Sequence, residues 1–111
     1  MSCWKIEFSG GGSTVYTAAD KGKLFEYDID SGDTVNDSRH GEHFVSALAV
    51  SGMGDLALGN AEGDVFLKRL EGEVVTCLTD HKKMIRSLQF SADGSKLILA
   101  SDDLRISLFD L

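Results

Sequence analysis

Three residues near the C-terminal end, His81, Ser101 and Asp103, are of the types that a nucleophilic site needs: hydroxyl, base and orienting carboxylate. A second group, His40 and His43 with Glu42 between them, has the HxxH spacing of a weak metal site. Gly10-Gly11-Gly12 could suggest a phosphate loop, but no Lys-Ser/Thr follows it and no helix begins there. The run from Asp28 to Asp37, DIDSGDTVND, is dense in oxygen ligands but lacks the glycine and the closing glutamate that a helix-loop-helix calcium loop requires. Cys3 and Cys77 stand far apart and outside any CxxC or CxxH spacing, so they read as small buried apolar side chains. Lys82, Lys83 and Arg86 are the only basic cluster. These readings predict no catalytic residue, no cofactor and no metal site.

The elements that must carry these residues are short strands. From Met84 to Phe90, Lys96 to Ser101 and Arg105 to Leu111, β-branched and aromatic residues gather in runs bounded by turn residues. Ser91-Ala92-Asp93-Gly94-Ser95 joins the first two runs, and Gly94 can adopt the positive φ of a tight turn. Asp102-Asp103 joins the second and third. The same unit occurs twice more upstream. The first copy has strands at Cys3–Phe8, Thr14–Ala19, Lys23–Ile29 and a polar Thr34–Ser38. The second has them at His43–Val50, Asp55–Gly59, Val65–Leu70 and Val74–Leu78. Ser9, Ser51 and Ser91 follow the first strand of each copy, 42 and 40 residues apart. Lys23, Asp64 and Arg105 open each third strand, 41 residues apart in both steps. This repeat accounts for His81, Ser101 and Asp103 without catalysis.

Bulk properties narrow the partners. A net charge of −7 is a poor match to a phosphate backbone, so direct nucleic-acid binding is disfavoured. No apolar run approaches the ~20 residues of a membrane span, and the N-terminal stretch lacks the basic and apolar regions of a secretory signal. Two unpaired-looking cysteines fit a reducing compartment, cytoplasmic or nuclear.

A four-stranded unit repeating at about 40–45 residues is the signature of WD propellers. The third copy resembles a WD repeat through His81, Ile85, Leu88, Phe90, Ser91, Asp93-Gly94, Leu97, Ser101, Asp103 and Ile106, with Phe109-Asp110 standing at the Trp-Asp position. The expectation is therefore an all-β fold of three incomplete four-stranded antiparallel blades, at about residues 3–38, 43–78 and 81–111, the last lacking its outer strand. The resemblance implies a structural hydrogen-bond network of His81, Ser101 and Asp103. It also implies a non-catalytic scaffold that binds protein subunits or peptide motifs on a rim, at Trp4, Arg39, His43, Lys82 and Arg86. That rim is formed by the loop entering each first strand and the turn between strands two and three. MIRSLQFSADGSKLILASDDLRISLFDL is the most specific piece. Over nearly the whole chain, Cys3 to Leu111, the sequence is most similar to the WD-repeat subunit of the superkiller complex of mRNA decay, which in animals also belongs to the polymerase-associated factor complex of transcription elongation. A generic adaptor, such as a ubiquitin-ligase substrate receptor or signalling scaffold, is the competing reading.

Closed propellers have about four to eight blades. Three copies are thus expected to be a piece of a roughly seven-bladed ring. Alone, it should associate with itself or with the missing blades through open apolar faces carrying Ile6, Val15, Leu97 and Leu99.

Overall fold

The computed structural model describes residues 3–8, 13–39, 43–52, 54–68, 74–75 and 83–111, with backbone only at Cys3, Trp4, Ala19, Asp20, Val74 and Val75. The first sheet contains β1 (Cys3–Phe8), β2 (Thr14–Ala19), β3 (Lys23–Asp28) and β4 (Thr34–Arg39). The second contains β5 (Val45–Val50), β6 (Leu56–Asn60), β7 (Val65–Lys68) and β8 (Val74–Val75). The third contains β9 (Ile85–Phe90), β10 (Lys96–Ser101) and β11 (Ile106–Asp110). Each sheet is an antiparallel meander in chain order. The predicted strands are thus observed to within two residues wherever the chain is described. The one helical segment among the described residues is a 3-10 turn at Asp20–Gly22. No helix there is long and apolar enough to cross a membrane.

The serine column explains how each meander makes its first turn. Ser51 Oγ accepts from the Asp55 amide at 3.0 Å, and Ser91 Oγ accepts from the Lys96 amide at 3.0 Å. In both, a glycine amide closes the turn onto the serine carbonyl, Gly54 to Ser51 at 3.0 Å and Gly94 to Ser91 at 2.9 Å. Those glycines have φ of 93° and 75°, where a Cβ would be strained. Ser9 lies outside the described residues. The acidic run at Asp28–Asp37 also folds as a turn. Asp28 Oδ1 accepts from the amide of Asp30 at 2.8 Å, and Ser31 Oγ from that of Asp33 at 3.1 Å.

Strands pleat with period two, so each sheet has two faces. Between the first and second sheets lie Tyr16, Ala18 and Leu24 against Val45, Leu48, Leu56, Leu58 and Phe66. Between the second and third lie Ala47, Ala49, Ala57, Val65 and Leu67 against Ile85, Leu88, Phe90, Leu97 and Leu99. The middle sheet is therefore buried on both faces, which is why its strands are almost wholly apolar. The contacts run β1 to β5 and β5 to β9, so the first strands of the three sheets adjoin and the sheets radiate from them. Burial and the Glu26 carboxylate, which lies opposite Tyr16 and accepts its hydroxyl, push the Tyr16 phenol up to about 12.

One expectation about the open faces is corrected. Leu97 and Leu99 are 0% and 1% exposed, because the odd-numbered residues of β10 face the second sheet. Ile98 between them faces out, at 44%, together with Ile106 and Leu108 of β11. On the first sheet Ile6 is 62% exposed as expected, joined by Phe8, whereas Val15 is half-buried.

Candidate partner-binding rim

One edge of the second and third sheets is built twice by the same local chemistry. The segment entering each first strand is bonded to the turn between strands two and three: the Ala61 amide donates to the Phe44 carbonyl at 3.3 Å, and the Asp102 amide to the Met84 carbonyl at 2.9 Å. Each turn is closed by a polar side chain at its first position. Buried Asn60 accepts through Oδ1 from the amides of Glu62 and Asp64, both at 3.0 Å. Ser101 occupies the corresponding position, 41 residues later. Its Oγ lies 3.2 Å from the Lys83 carbonyl and 3.3 Å from that of Met84, and it accepts from the Asp103 amide at 3.4 Å. Asp103 Oδ1 in turn accepts from the Arg105 amide at 3.0 Å. Ser101 Oγ and the Asp103 backbone amide thus meet in the turn. His81, the third expected member of the network, lies outside the described residues.

Two pairs of polar side chains meet across this edge. His43 Nδ1 is 3.7 Å from Glu62 Oε1, with both side chains about half exposed. Arg86 Nε donates to Asp102 Oδ1 at 2.6 Å. This bond raises the already high Arg86 pKa and holds the Asp102 carboxyl below its ordinary value. The Arg86 side chain remains 63% exposed, and Lys83 is exposed beside it in sequence. In the first sheet, Arg39 at the tip of the outer strand donates from Nε to the Lys21 carbonyl at 2.9 Å. The structure therefore places His43 on the segment entering β5, Arg86 within β9 beside the turn that holds Asp102, and Arg39 on the outermost strand of the first sheet. Lys82 and the Trp4 side chain lie outside the described residues, as do His40 and Cys77.

Two features of this rim escaped the sequence reading. Ser46, which follows Val45 in β5 as Arg86 follows Ile85 in β9, points inward rather than to the rim. Its Oγ donates to the Ile85 carbonyl of the third sheet at 2.5 Å, with the Gly59 carbonyl at 3.3 Å. Leu104, at the tip of the last turn, is 96% exposed and has φ of 68°. Glycines hold this position in the other two copies, Gly22 at 73° and Gly63 at 92°. Aligning the three turns would have shown that leucine as the odd member. Among the described residues no group of three or more His, Cys, Asp or Glu could hold a metal ion.

Radial antiparallel sheets whose rim turns repeat define a propeller arc. The family model describing the WD40 domain of anaphase-promoting complex subunit 4 matches residues 50–111. The chain belongs to the WD40-repeat family. It is 32% identical over 109 residues to the WD repeat-containing protein SL1-17 of Schistosoma mansoni, covering 97% of this chain and 36% of that protein. Among solved structures it resembles a chain of the mitotic checkpoint complex, with a TM-score of 0.88 at 19% identity over 97% of this chain and 33% of the other. It also resembles the WD40 repeats of RRP9, with a TM-score of 0.91 at 18% identity over 100% of this chain and 36% of the other. The two structural likenesses establish the fold. The chain spans about a third of the length of these relatives.

Proposed function

We propose that this chain is a non-catalytic scaffold segment whose partners are protein subunits or peptide motifs bound on the rim. The observation that carries this reading is the paired construction of that edge. Two equivalent turns, each hydrogen-bonded to a strand entrance, carry Glu62 beside His43 of one strand entrance and Asp102 beside Arg86 of β9. The Arg86–Asp102 ion pair, with exposed Lys83 and Glu62 on the same edge, favours a partner carrying both signs of charge. It does not favour a uniform polyanion, in keeping with a net charge of −7. Arg86 and Trp4 are the residue types most enriched at binding hot spots. Lys82, Lys83 and Arg39 add to the same reading.

For the assembly served, we favour the superkiller complex of mRNA decay or the polymerase-associated factor complex of elongation, with cytoplasmic or nuclear residence. The support is the sequence likeness over Cys3 to Leu111, most specific from Met84 onward. The match to the WD40 domain of an anaphase-promoting complex subunit favours a second reading, an adaptor in another multi-subunit machine. Affinity purification of the wild-type chain and of Arg86→Glu, with mass-spectrometric identification, separates them. Enrichment of superkiller or elongation-factor subunits that falls at least tenfold in the variant is the expected result. Subunits of a different assembly would sink the first reading, and equal recovery by the variant would sink the rim.

A further inference from the structure

The rim turn of the first sheet is built differently from the other two. Asn60 and Ser101 close their turns through a side-chain oxygen, but the first repeat has Ala19 at that position, with no such oxygen. Asp20–Gly22 is instead a 3-10 turn with Lys21 in the left-handed region, at φ 60° and ψ 34°. Arg39 Nε donates to the Lys21 carbonyl and so fastens this turn to the outer strand. Charge changes at the same place. The position of Lys21 is held by Glu62 and Asp103 in the later repeats, and that of Lys23 by Asp64 and Arg105, each step 41 residues. The later carboxylates act locally: Asp64 Oδ2 accepts from Asn60 Nδ2 at 3.5 Å, Glu62 faces His43, and Asp103 accepts from the Arg105 amide. Lysine side chains have no acceptor to offer a turn, and Lys21 and Lys23 are both exposed.

Strand register adds a third cation. Lys23 stands directly opposite Arg39 across β3 and β4, and like charges in that relation repel. Among the described residues, none of Lys21, Lys23 and Arg39 is paired with a carboxylate. Asp37, the one carboxylate of β4, stands opposite Phe25, and the Asp20 side chain lies outside the described residues. This corner does not depend on what adjoins the first sheet. The second sheet has a neighbour on each face, and there the Glu62 side chain, at the place of Lys21, is still 58% exposed.

We propose, taking the rim as the partner's seat, that Lys21, Lys23 and Arg39 bind the carboxylates of an acidic segment in the partner polypeptide. Such a segment relieves the repulsion between Lys23 and Arg39 and supplies the acidic groups that the later repeats carry for themselves. A short run of Asp or Glu matches three cations on one turn and one strand tip. Because these charges are exposed, the attraction weakens as salt rises.

The test is fluorescence anisotropy of a labelled tetraglutamate peptide with the full chain and its variants, at low and at physiological salt. Wild type should bind, less tightly at the higher salt. Lys21→Glu with Lys23→Glu should weaken binding by about tenfold or more. Lys82→Glu with Lys83→Glu, the same charge change at the other basic cluster, should leave it nearly unchanged. Lys23→Glu alone should weaken binding while its thermal melt rises, since a cross-strand repulsion becomes an attraction. That rise separates lost binding from lost fold. A wild type that does not bind tetraglutamate overturns the proposal, and so does equal loss in the two double variants or a lower melt for Lys23→Glu. Loss confined to Lys82→Glu with Lys83→Glu moves the acidic segment to the third sheet, overturning the corner while the rim reading stands. Tighter binding of a single-stranded oligonucleotide at the same corner would put nucleic acid in place of polypeptide and overturn it as well.

Discussion

Asp93 shows how much a single exposed turn residue can be shaped by its neighbours. Its Oδ1 accepts from the Ser95 amide at 3.0 Å, the Ser95 hydroxyl at 2.7 Å and the Ser91 hydroxyl at 2.8 Å. These donors favour the ionised form, the Ser95 amide most, and hold the carboxyl at about 2 against an ordinary 3.8. A depressed folded-state pKa adds stability above the unfolded value. That stability should be lost as pH falls from 3.8 through about 2. A carboxyl-carbon NMR titration should give a midpoint near 2, moving upward in Ser95→Ala; a wild-type midpoint at 3.8 would contradict the donor set. Leu104 is the opposite kind of residue, one that its local backbone disfavours. A non-glycine side chain in the left-handed region costs roughly 1–2 kcal/mol, partly offset in glycine by its greater unfolded-state entropy. Leu104→Gly should therefore stabilise the chain by up to about 1 kcal/mol in denaturant unfolding. Nothing in the single letter Leu announces this, since the strain follows from the turn it shares with Gly22 and Gly63.

At the level of elements, the joint between the second and third sheets rests on a close approach of β6 to β9. A Cβ placed on Gly59 would lie 2.5 Å from Ile85 Cγ2 and 2.7 Å from its Cβ, neither of which is the free end of a flexible side chain. Gly59→Ala must push the sheets apart, and overpacking of this kind costs roughly 1–3 kcal/mol. Ser46 bridges the same joint through the Ile85 carbonyl, and Ser46→Ala should cost about 1–2 kcal/mol by leaving that acceptor without its donor. Thermal melts of the two variants check both values, and neutral melts would show that the sheets do not share this joint. Much of this element-level picture was legible in the sequence. Turn serines, turn glycines and the β-branched runs located the strands, because those signals are local. Which face of β10 turns inward was not legible, because Leu97, Ile98 and Leu99 are all apolar and a period of two leaves no mark in such a run. The pairs His43–Glu62 and Arg86–Asp102 were equally hidden. His43 and Arg86 were visible as rim residues, but their pairing depends on how the turn between the second and third strands folds back on the strand entrance.

Over the whole molecule, the repeat makes three sheets into one body. Each sheet uses one face as an inserting surface and the other as a receiving surface, so the middle sheet has no solvent face and the end sheets have one each. This division is why the composition of β5 to β7 differs so sharply from that of β1 and β11, although all belong to the same repeat. It also separates the apolar contacts from the polar ones: the faces between sheets hold the arc together, while the rim carries the Arg86–Asp102 and His43–Glu62 pairs. The claim on which all of this depends is that the sheets are stacked, first strand beside first strand, and do not fold as independent meanders. A nuclear Overhauser measurement between the Ile85 methyls and the Gly59 α-protons tests it most directly, since these groups belong to different sheets and are 26 residues apart. Stacked blades predict an intense cross-peak, accompanied by contacts from the Tyr16 ring to the buried leucines of the second sheet. Ile85 cross-peaks confined to its own sheet, with the strand-to-strand contacts of all three sheets intact, would contradict it.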